Sequence, residues 1–145
     1  MAIQVDMRIP TGASILDTAA FAEACEAAGL DGVGIIDHQH TGREVFRAPA
    51  AAAVHTSRVI MYPAVTNPVT RHPMVMAAAL QTLEEVAPGR VLAVIGAGNV
   101  ATRTVNSRPA TLAEMRVFVT ELRRLLSGES VYPGMADGRM LHASD

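Results

Sequence analysis

Histidine and amide side chains, which can move protons or hold a polar ligand, follow the apolar runs of this 145-residue sequence. They are His38, His40, Asn67 and Asn99. An imidazole titrates near neutrality, so either histidine suits general acid–base work. His38 and His40 are two residues apart and share a face of an extended chain, which suits a metal site, but no acid or thiol partner is evident. We therefore expect no metal at this pair.

Each of these groups also has a purely structural interpretation. Asp37-His38 fits a turn with a solvated imidazole equally well, and Asn67-Pro68 is a turn signal in its own right. Gly96-Ala97-Gly98 resembles part of a phosphate loop, but the third glycine of a dinucleotide fingerprint is missing. After a strand, such glycines more simply let the backbone approach a flat ligand. Asp6 lies in an apolar run and needs a partner or a cavity.

Four apolar runs, each followed by a helical pattern, must position these residues. The runs begin near residues 3, 33, 59 and 91. Helix starts are indicated by two capping-box patterns and two prolines suited to a first turn: Ser14 with Asp17, Thr111 with Glu114, Pro49, and Pro73. Strands that alternate with helices in this way are parallel, so the fold class is α/β, with the sheet either open or part of a barrel. In both cases ligands bind at the carboxyl ends of the strands, where the polar residues fall.

The composition excludes several classes of protein. Hydrophobic side chains make up 50% of the chain and charged ones 18%, so the chain collapses rather than staying disordered. A net charge of −2 gives no attraction to nucleic acid or to an anionic membrane. The single cysteine, Cys25, excludes an internal disulfide, and no apolar run reaches the ~18 residues of a membrane helix. Because the N-terminus has no signal-peptide pattern, the expected location is the cytoplasm.

Three long segments resemble one enzyme family. They are AEACEAAGLDGVGIIDHQH, TSRVIMYPAVTNPVTRHPMVMAAALQTLEEVAPGRVLAVIGAGN and LAEMRVFVTELRRLLSGESVYPG. In this order and spacing the sequence resembles the luciferase-like flavin-dependent oxidoreductases. The TNPVTRHP run is most similar to the branch that uses the deazaflavin coenzyme F-420 (8-hydroxy-5-deazaflavin), which includes methylenetetrahydromethanopterin reductase.

The resemblance implies a TIM-type barrel with F-420 or FMN across the carboxyl ends of its strands. The coenzyme ring is expected against the loop after the third strand, often beside a non-prolyl cis peptide. The implied site residues are Val65, Thr66, Asn67, Gly96, Gly98 and Asn99 for the cofactor, and His38, His40 and Asp6 for catalysis. The implied reaction is hydride transfer to or from a small organic substrate, or its monooxygenation by a flavin member.

Two departures from the family pattern bear on these expectations. Asn99 stands where those enzymes often have an aspartate, and a neutral amide cannot act as a carboxylate acid or base. A complete barrel has eight units and ~250 residues. Residues 1–128 supply four (β/α) units, a half-barrel, and residues 129–145 are expected to be a loop-like tail.

The missing units leave the function of the chain alone open. One hypothesis is a redox enzyme of this family, incomplete by itself. The alternative is a non-catalytic truncated half, or a split-barrel subunit that acts only with a partner chain. A self-contained flavodoxin-like open sheet is the third interpretation. Because a half-barrel exposes edge strands and an apolar face, we expect a homo-oligomer or association with a complementary half-barrel.

Overall fold

A computed structural model describes residues 3–132. Its elements are β1 (Asp6–Arg8), α1 (Ile15–Ala27), β2 (Gly32–Ile35), α2 (Arg47–Ala53), β3 (Ile60–Pro63), α3 (Pro73–Val86), α4 (Val100–Thr104) and α5 (Leu112–Leu126). Residues 129–132, the start of the expected tail, have no regular secondary structure, and the rest of that tail lies outside the described residues. None of the helices in the described range is long and apolar enough to cross a membrane.

The three strands form one parallel sheet in the order β1-β2-β3. Met7, Val33 and Met61 lie side by side in register, and the last two are fully buried in the core with the helices. Side chains alternate along a strand, so Asp6 and Tyr62 lie on the opposite face of the sheet. The predicted α/β class with parallel strands is confirmed.

The predicted fourth strand is not formed as a strand in the described structure. The segment 91–95 runs parallel to β3 but touches it only at two isolated bridges, Met61 with Val91 and Thr66 with Ile95. Between these two bridges the chain advances five residues from Met61 to Thr66 but four from Val91 to Ile95. The segment that includes the end of β3 therefore has one extra residue, which forms a bulge. Pro63, inside the bulge, has no N–H to donate. The expected four-stranded half-barrel is therefore not confirmed.

Side-chain caps are formed at the starts of three helices, α1, α3 and α5. The capping boxes of Ser14 with Asp17 and of Thr111 with Glu114 are both formed. His72 caps α3, since its Nδ1 accepts from the backbone N–H of Met74 at 3.2 Å. A side-chain cap of this kind is worth about 1 kcal/mol.

Not every apolar side chain of the helices is buried. In α1 the buried face is centred on Ala22, which is fully buried, whereas the larger Phe21 is half-buried. In α5 Phe118 is buried, whereas Leu112 at the start of the helix is 88% exposed. The helix α4 was not predicted at all, since its five residues are too short to display a period.

Candidate functional site

The loops after β2, after β3 and after residue 95 meet at the carboxyl-end rim of the sheet. Asp37, which follows β2, accepts a hydrogen bond from the hydroxyl of Thr66 at 2.6 Å. Thr66 is in turn bridged to Ile95. Three loops far apart in sequence are thus joined at one point.

Asp37 is the centre of a buried hydrogen-bond network. Its side chain is 2% exposed, and the Arg71 guanidinium contacts its Oδ2. Oδ1 accepts from the Gln39 amide at 2.9 Å. A buried carboxylate needs such partners, because burying an unpaired charge costs several kcal/mol, on the order of 3–5. The network therefore fixes the position of the Asp37 carboxyl group.

Arg71 extends this network to the start of α2. Its second terminal nitrogen bonds Glu44 at 3.0 Å, and its guanidinium lies over the Phe46 ring at 5.3 Å. The other carboxylate oxygen of Glu44 accepts from the backbone N–H groups of Phe46 and Arg47, both at 2.9 Å. Arg71 and Glu44 were not among the predicted site residues. The available signal was the position of Arg71 in the loop after the third apolar run.

In the loop after β3, Val65 is exposed and the two residues that follow it are buried. The Ala64–Val65 peptide bond is cis, as the resemblance implies for this loop. Val65 is 45% exposed, whereas Thr66 and Asn67 are 0% and 1% exposed.

Asn67 faces the turn that follows it. Its Oδ1 accepts from the backbone N–H groups of Val69 and Thr70, both at 3.0 Å. The hydroxyl of Thr66 is likewise engaged, with Asp37. Both side chains therefore support the loop from behind, and their direct contact with a ring stays a prediction.

The predicted glycines lie directly against this loop. A Cβ at Gly96 would stand 2.9 Å from Val65 Cγ2, and a Cβ at Gly98 would stand 3.0 Å from Asn67 Cβ. Gly98 also has a positive φ of 79°, which favours glycine. Asn99 is exposed, and it caps α4 with its carbonyl rather than its side chain. Five of the six predicted cofactor residues are thus packed together.

The two predicted histidines have different surroundings. His38 is half-buried and lines a cavity of about 190 Å³. Its Nδ1 accepts from the Thr41 backbone N–H at 3.2 Å. His40 is exposed, and it has no hydrogen-bond partner within residues 3–132. The remaining lining of the cavity is Asp37, Gln39, Gly42, Arg43, Glu44 and Arg71.

Asp6 is not brought to this group of residues. It is the first residue of β1, in register with Gly32 at the amino-terminal end of β2, roughly 16 Å of extended chain before Asp37. Its Oδ2 accepts from the Tyr62 hydroxyl at 2.9 Å. Burial, together with that carboxylate, raises the pKa of Tyr62 to about 12. A catalytic role for Asp6 stays a prediction, and its position suits a structural pair with Tyr62 on the face of the sheet opposite the helices.

Two further features bear on where a ligand binds. A larger groove of about 620 Å³ lies between residues 68–73 and α5, away from the predicted site, and contains the paired Arg108 and Glu114. Within residues 3–132 no cluster of three His, Cys, Asp or Glu side chains has a metal-binding arrangement.

Several known proteins are similar to this chain, some in sequence and some in fold. The F420-dependent glucose-6-phosphate dehydrogenase of Beutenbergia cavernae is 34% identical, over 89% of this chain and 41% of its own length. The coenzyme F420-dependent tetrahydromethanopterin reductase of Methanopyrus kandleri superposes with a TM-score of 0.80 at 21% identity, over 88% of this chain and 41% of that one.

A third similar protein binds a flavin. The oxygenating constituent of 3,6-diketocamphane monooxygenase from Pseudomonas putida, solved with FMN, superposes with a TM-score of 0.76 at 21% identity, covering 93% of this chain and 42% of its own. This chain spans about two fifths of the length of the curated relatives it matches. The family model described as luciferase-like monooxygenase matches residues 1–141. The chain therefore belongs to the luciferase-like monooxygenase family.

Proposed function

We propose that this chain forms one face of the coenzyme site of an oxidoreductase that uses F-420 or FMN. The F420-dependent relatives and the FMN-binding neighbour support this coenzyme class. When bound, such a coenzyme supplies hydride chemistry at C5 of the deazaflavin or N5 of the flavin. The substrate is a small organic molecule, and the proposed compartment is the cytoplasm.

The observation that carries the proposal is the exposed side chain of Val65 beside the buried residues Thr66 and Asn67. Val65 is 45% exposed, while Pro63, Thr66 and Asn67 around it are buried. Gly96 beside it has no side chain, and a Cβ there would meet Val65 at 2.9 Å. An apolar side chain next to bare backbone makes a low surface that fits a flat tricyclic ring.

The surrounding residues hold this surface in position. Thr66 and Asn67 fix the loop through Asp37 and through the turn at 69–70. Arg71 then joins the loop to the start of α2 by way of Glu44. Such support reduces the entropy that ligand binding has to overcome. His38 lines the neighbouring cavity, where it can contact a substrate that lies over the ring.

We further infer that additional (β/α) units complete the site. The chain covers 41% of the F420-dependent dehydrogenase, and the resemblance assigns much of the grip on the coenzyme phosphate to the later strands. Those units come either from the same polypeptide or from a partner chain. The coenzyme affinity of this chain alone is therefore expected to be weak, with the ring rather than the phosphate as the main contact.

A fluorescence titration tests the proposal. FMN and F-420 are each titrated with the 145-residue chain, and quenching of coenzyme fluorescence is expected at high micromolar concentration. Val65→Glu, which puts a charge on the apolar surface, is expected to abolish the quenching. Val54→Glu is the matched control, because Val54 is also exposed (69%) but lies at the end of α2.

Two results overturn the proposal. Absence of quenching with both coenzymes favours the alternative of a non-catalytic half. Equal quenching by wild type and Val65→Glu shows that any binding is elsewhere on the chain.

A further inference from the structure

An apolar groove runs between the loop after β3 and the helix α5. Val69 and Pro73 line it on the loop side, and Val117 and Phe118 line it on the helix side. Phe118 is buried, whereas Val69 and Val117 are exposed. The groove has a volume of about 620 Å³, which lies within the roughly 300–1,000 Å³ of sites that hold a ligand. It is therefore large enough to bind several side chains.

The charged residues that line this groove all have partners. Arg108 bonds Glu114 at 2.6 Å, and Glu121 accepts from the Tyr132 hydroxyl at 2.9 Å. The surface that these pairs leave open to water is apolar, with the pairs at its margin. A ligand of the groove is therefore selected by apolar contact rather than by charge.

The described part of the chain ends at this groove. Tyr132, its last residue, donates its hydroxyl to Glu121, which lines the groove. The centroid of the Tyr132 ring lies 5.2 Å from that of the His72 ring, and His72 directly precedes Pro73 of the groove. Tyr132 thus lies between α5 and the start of α3. The residue that follows it begins next to the groove.

The sequence after Tyr132 has the length and the composition to fill the groove. Residues 133–145 read PGMADGRMLHASD, and an extended chain of that length spans roughly 40 Å. The helix α5 has 15 residues and is about 22 Å long. The large apolar side chains of the segment are Met135, Met140 and Leu141. Because the segment is tethered beside the groove, its effective concentration there is on the order of millimolar, so weak apolar contacts are enough for binding.

We propose that this groove binds residues 133–145 of the same chain through the large apolar side chains of that segment. The segment covers Val69 and Val117, which otherwise face water. It also supports the loop after β3 from behind, since the N–H of Val69 donates to Asn67 Oδ1 at 3.0 Å. The binding is independent of any coenzyme, because the proposed coenzyme surface at Val65 does not line this groove.

Limited proteolysis of the full chain measures whether the segment is bound. Trypsin cleaves after Arg139 and releases residues 140–145, and mass spectrometry follows that loss. A bound segment is cleaved only while it is away from the groove, so the wild-type chain is expected to be cleaved slowly at this site. Val117→Glu places a charge in the groove and is expected to speed this cleavage by about tenfold, the effect of losing one buried apolar contact of this size.

Val75→Glu is the matched control. Val75 and Val117 are both 58% exposed, but Val75 lies in α3 and lines a different cavity. Cleavage at Arg139 is expected to keep the wild-type rate in this control, and circular dichroism checks that both variants are folded. Rapid cleavage of the wild-type chain at Arg139 overturns the proposal. So does a Val117→Glu variant that is cleaved no faster than Val75→Glu.

A spin label shows which copy of the chain supplies the segment. Ser144→Cys carries a nitroxide, and the native Cys25 is buried. The label is expected to broaden the amide signals of Val69 and Ala113 in the groove when ¹⁵N and nitroxide are in the same chain, and Val117→Glu is expected to remove that effect. Labelled chain without ¹⁵N, mixed with unlabelled ¹⁵N chain, is expected to leave both signals sharp. Equal broadening in the mixture assigns the groove to a second copy and overturns the proposal, as does its absence within one chain.

Discussion

Glu26 shows how much one carboxylate can organise. It lies in the last turn of α1, and its two oxygens accept from the backbone N–H groups of Ser57, Arg58 and Val59 at 2.6–3.1 Å. The Ser57 hydroxyl adds a fourth donor at 3.1 Å. Burial by itself raises the pKa of Glu26, but these donors outweigh it and lower the pKa to about 2. The contact fixes the turn that leads into β3.

Replacing Glu26 with Gln is expected to lower the free energy of unfolding by about 1–2 kcal/mol at neutral pH. The folded pKa of about 2 lies below the ordinary value of 4.5. The contribution of Glu26 is therefore fully present above pH 4.5 and is lost as the pH falls toward 2. Urea unfolding at about pH 7 and about pH 3 checks this, because the variant should lose less stability on acidification than wild type.

Glu23→Gln is the matched control on the same helix. Glu23 is 50% exposed, and among residues 3–132 its one ion-pair partner is His55, at 3.3 Å. If Glu26→Gln retains the wild-type dependence on pH, the role assigned to this carboxylate is wrong.

Sequence separation explains which of these side-chain contacts could be predicted. Ser14 and Asp17 are three residues apart, so the helix backbone itself brings them together. Glu26 and Ser57 are 31 residues apart, and Asp37 and Arg71 are 34 apart. Their contacts depend on which strands are neighbours and on the exact register. Thr66 and His38 lie at the carboxyl-end rim, whereas Asp6 lies at the other end of the sheet, and the roles predicted for all three stay predictions.

At the scale of elements, β2 has two glycines that meet different neighbours. A Cβ at Gly34 would stand 2.8 Å from Ala64 Cβ and 3.0 Å from the Tyr62 ring. A Cβ at Gly32 would stand 2.9 Å from the carboxyl group of Asp6, the far end of a flexible side chain. Gly34 is therefore what allows β3 and its following loop to lie close to β2.

Gly34→Ala is expected to destabilise the chain by about 1–3 kcal/mol, because Ala64 and the Tyr62 ring cannot both move away. Gly32→Ala is the control in the same strand, and its cost is expected to be smaller because Asp6 can rotate. Thermal unfolding followed by circular dichroism gives both values. Equal losses for the two variants argue against close packing at Gly34.

The fourth apolar run marks the limit of prediction at this scale. Val91 to Ile95 has the composition of a buried strand, and it does run parallel to β3. Composition reports burial and propensity, but a ladder also needs a donor and an acceptor at each step. The extra residue beside Pro63 interrupts these ladder hydrogen bonds. No pattern in the sequence of 91–95 predicts that interruption.

At the scale of the whole molecule, apolar side chains are exposed at both edges of the sheet. Val5 is 53% exposed before β1, and Leu92 is 50% exposed in the segment beside β3. Unpaired edges with apolar side chains promote association between chains. We therefore expect the chain to form a dimer or a larger assembly.

Sedimentation velocity over a range of concentrations measures this association. Leu92→Lys is expected to shift the population toward monomer, because a charged edge discourages strand pairing. Leu16→Lys is the control, since Leu16 is 80% exposed on α1. A wild-type chain that sediments as a compact monomer at every concentration contradicts the expectation.

The unequal residue count between β3 and the 91–95 segment has a consequence for how this site tolerates change. Four steps along a strand return a side chain to the same side, and five do not. The odd step between Met61 and Thr66 therefore decides which residue of the loop meets Asp37. Deleting one residue here would leave the chemistry of Val65, Thr66 and Asn67 unchanged, yet each would move to the position that its neighbour occupies now. The contacts at the rim therefore depend on the number of residues in this segment as well as on their types.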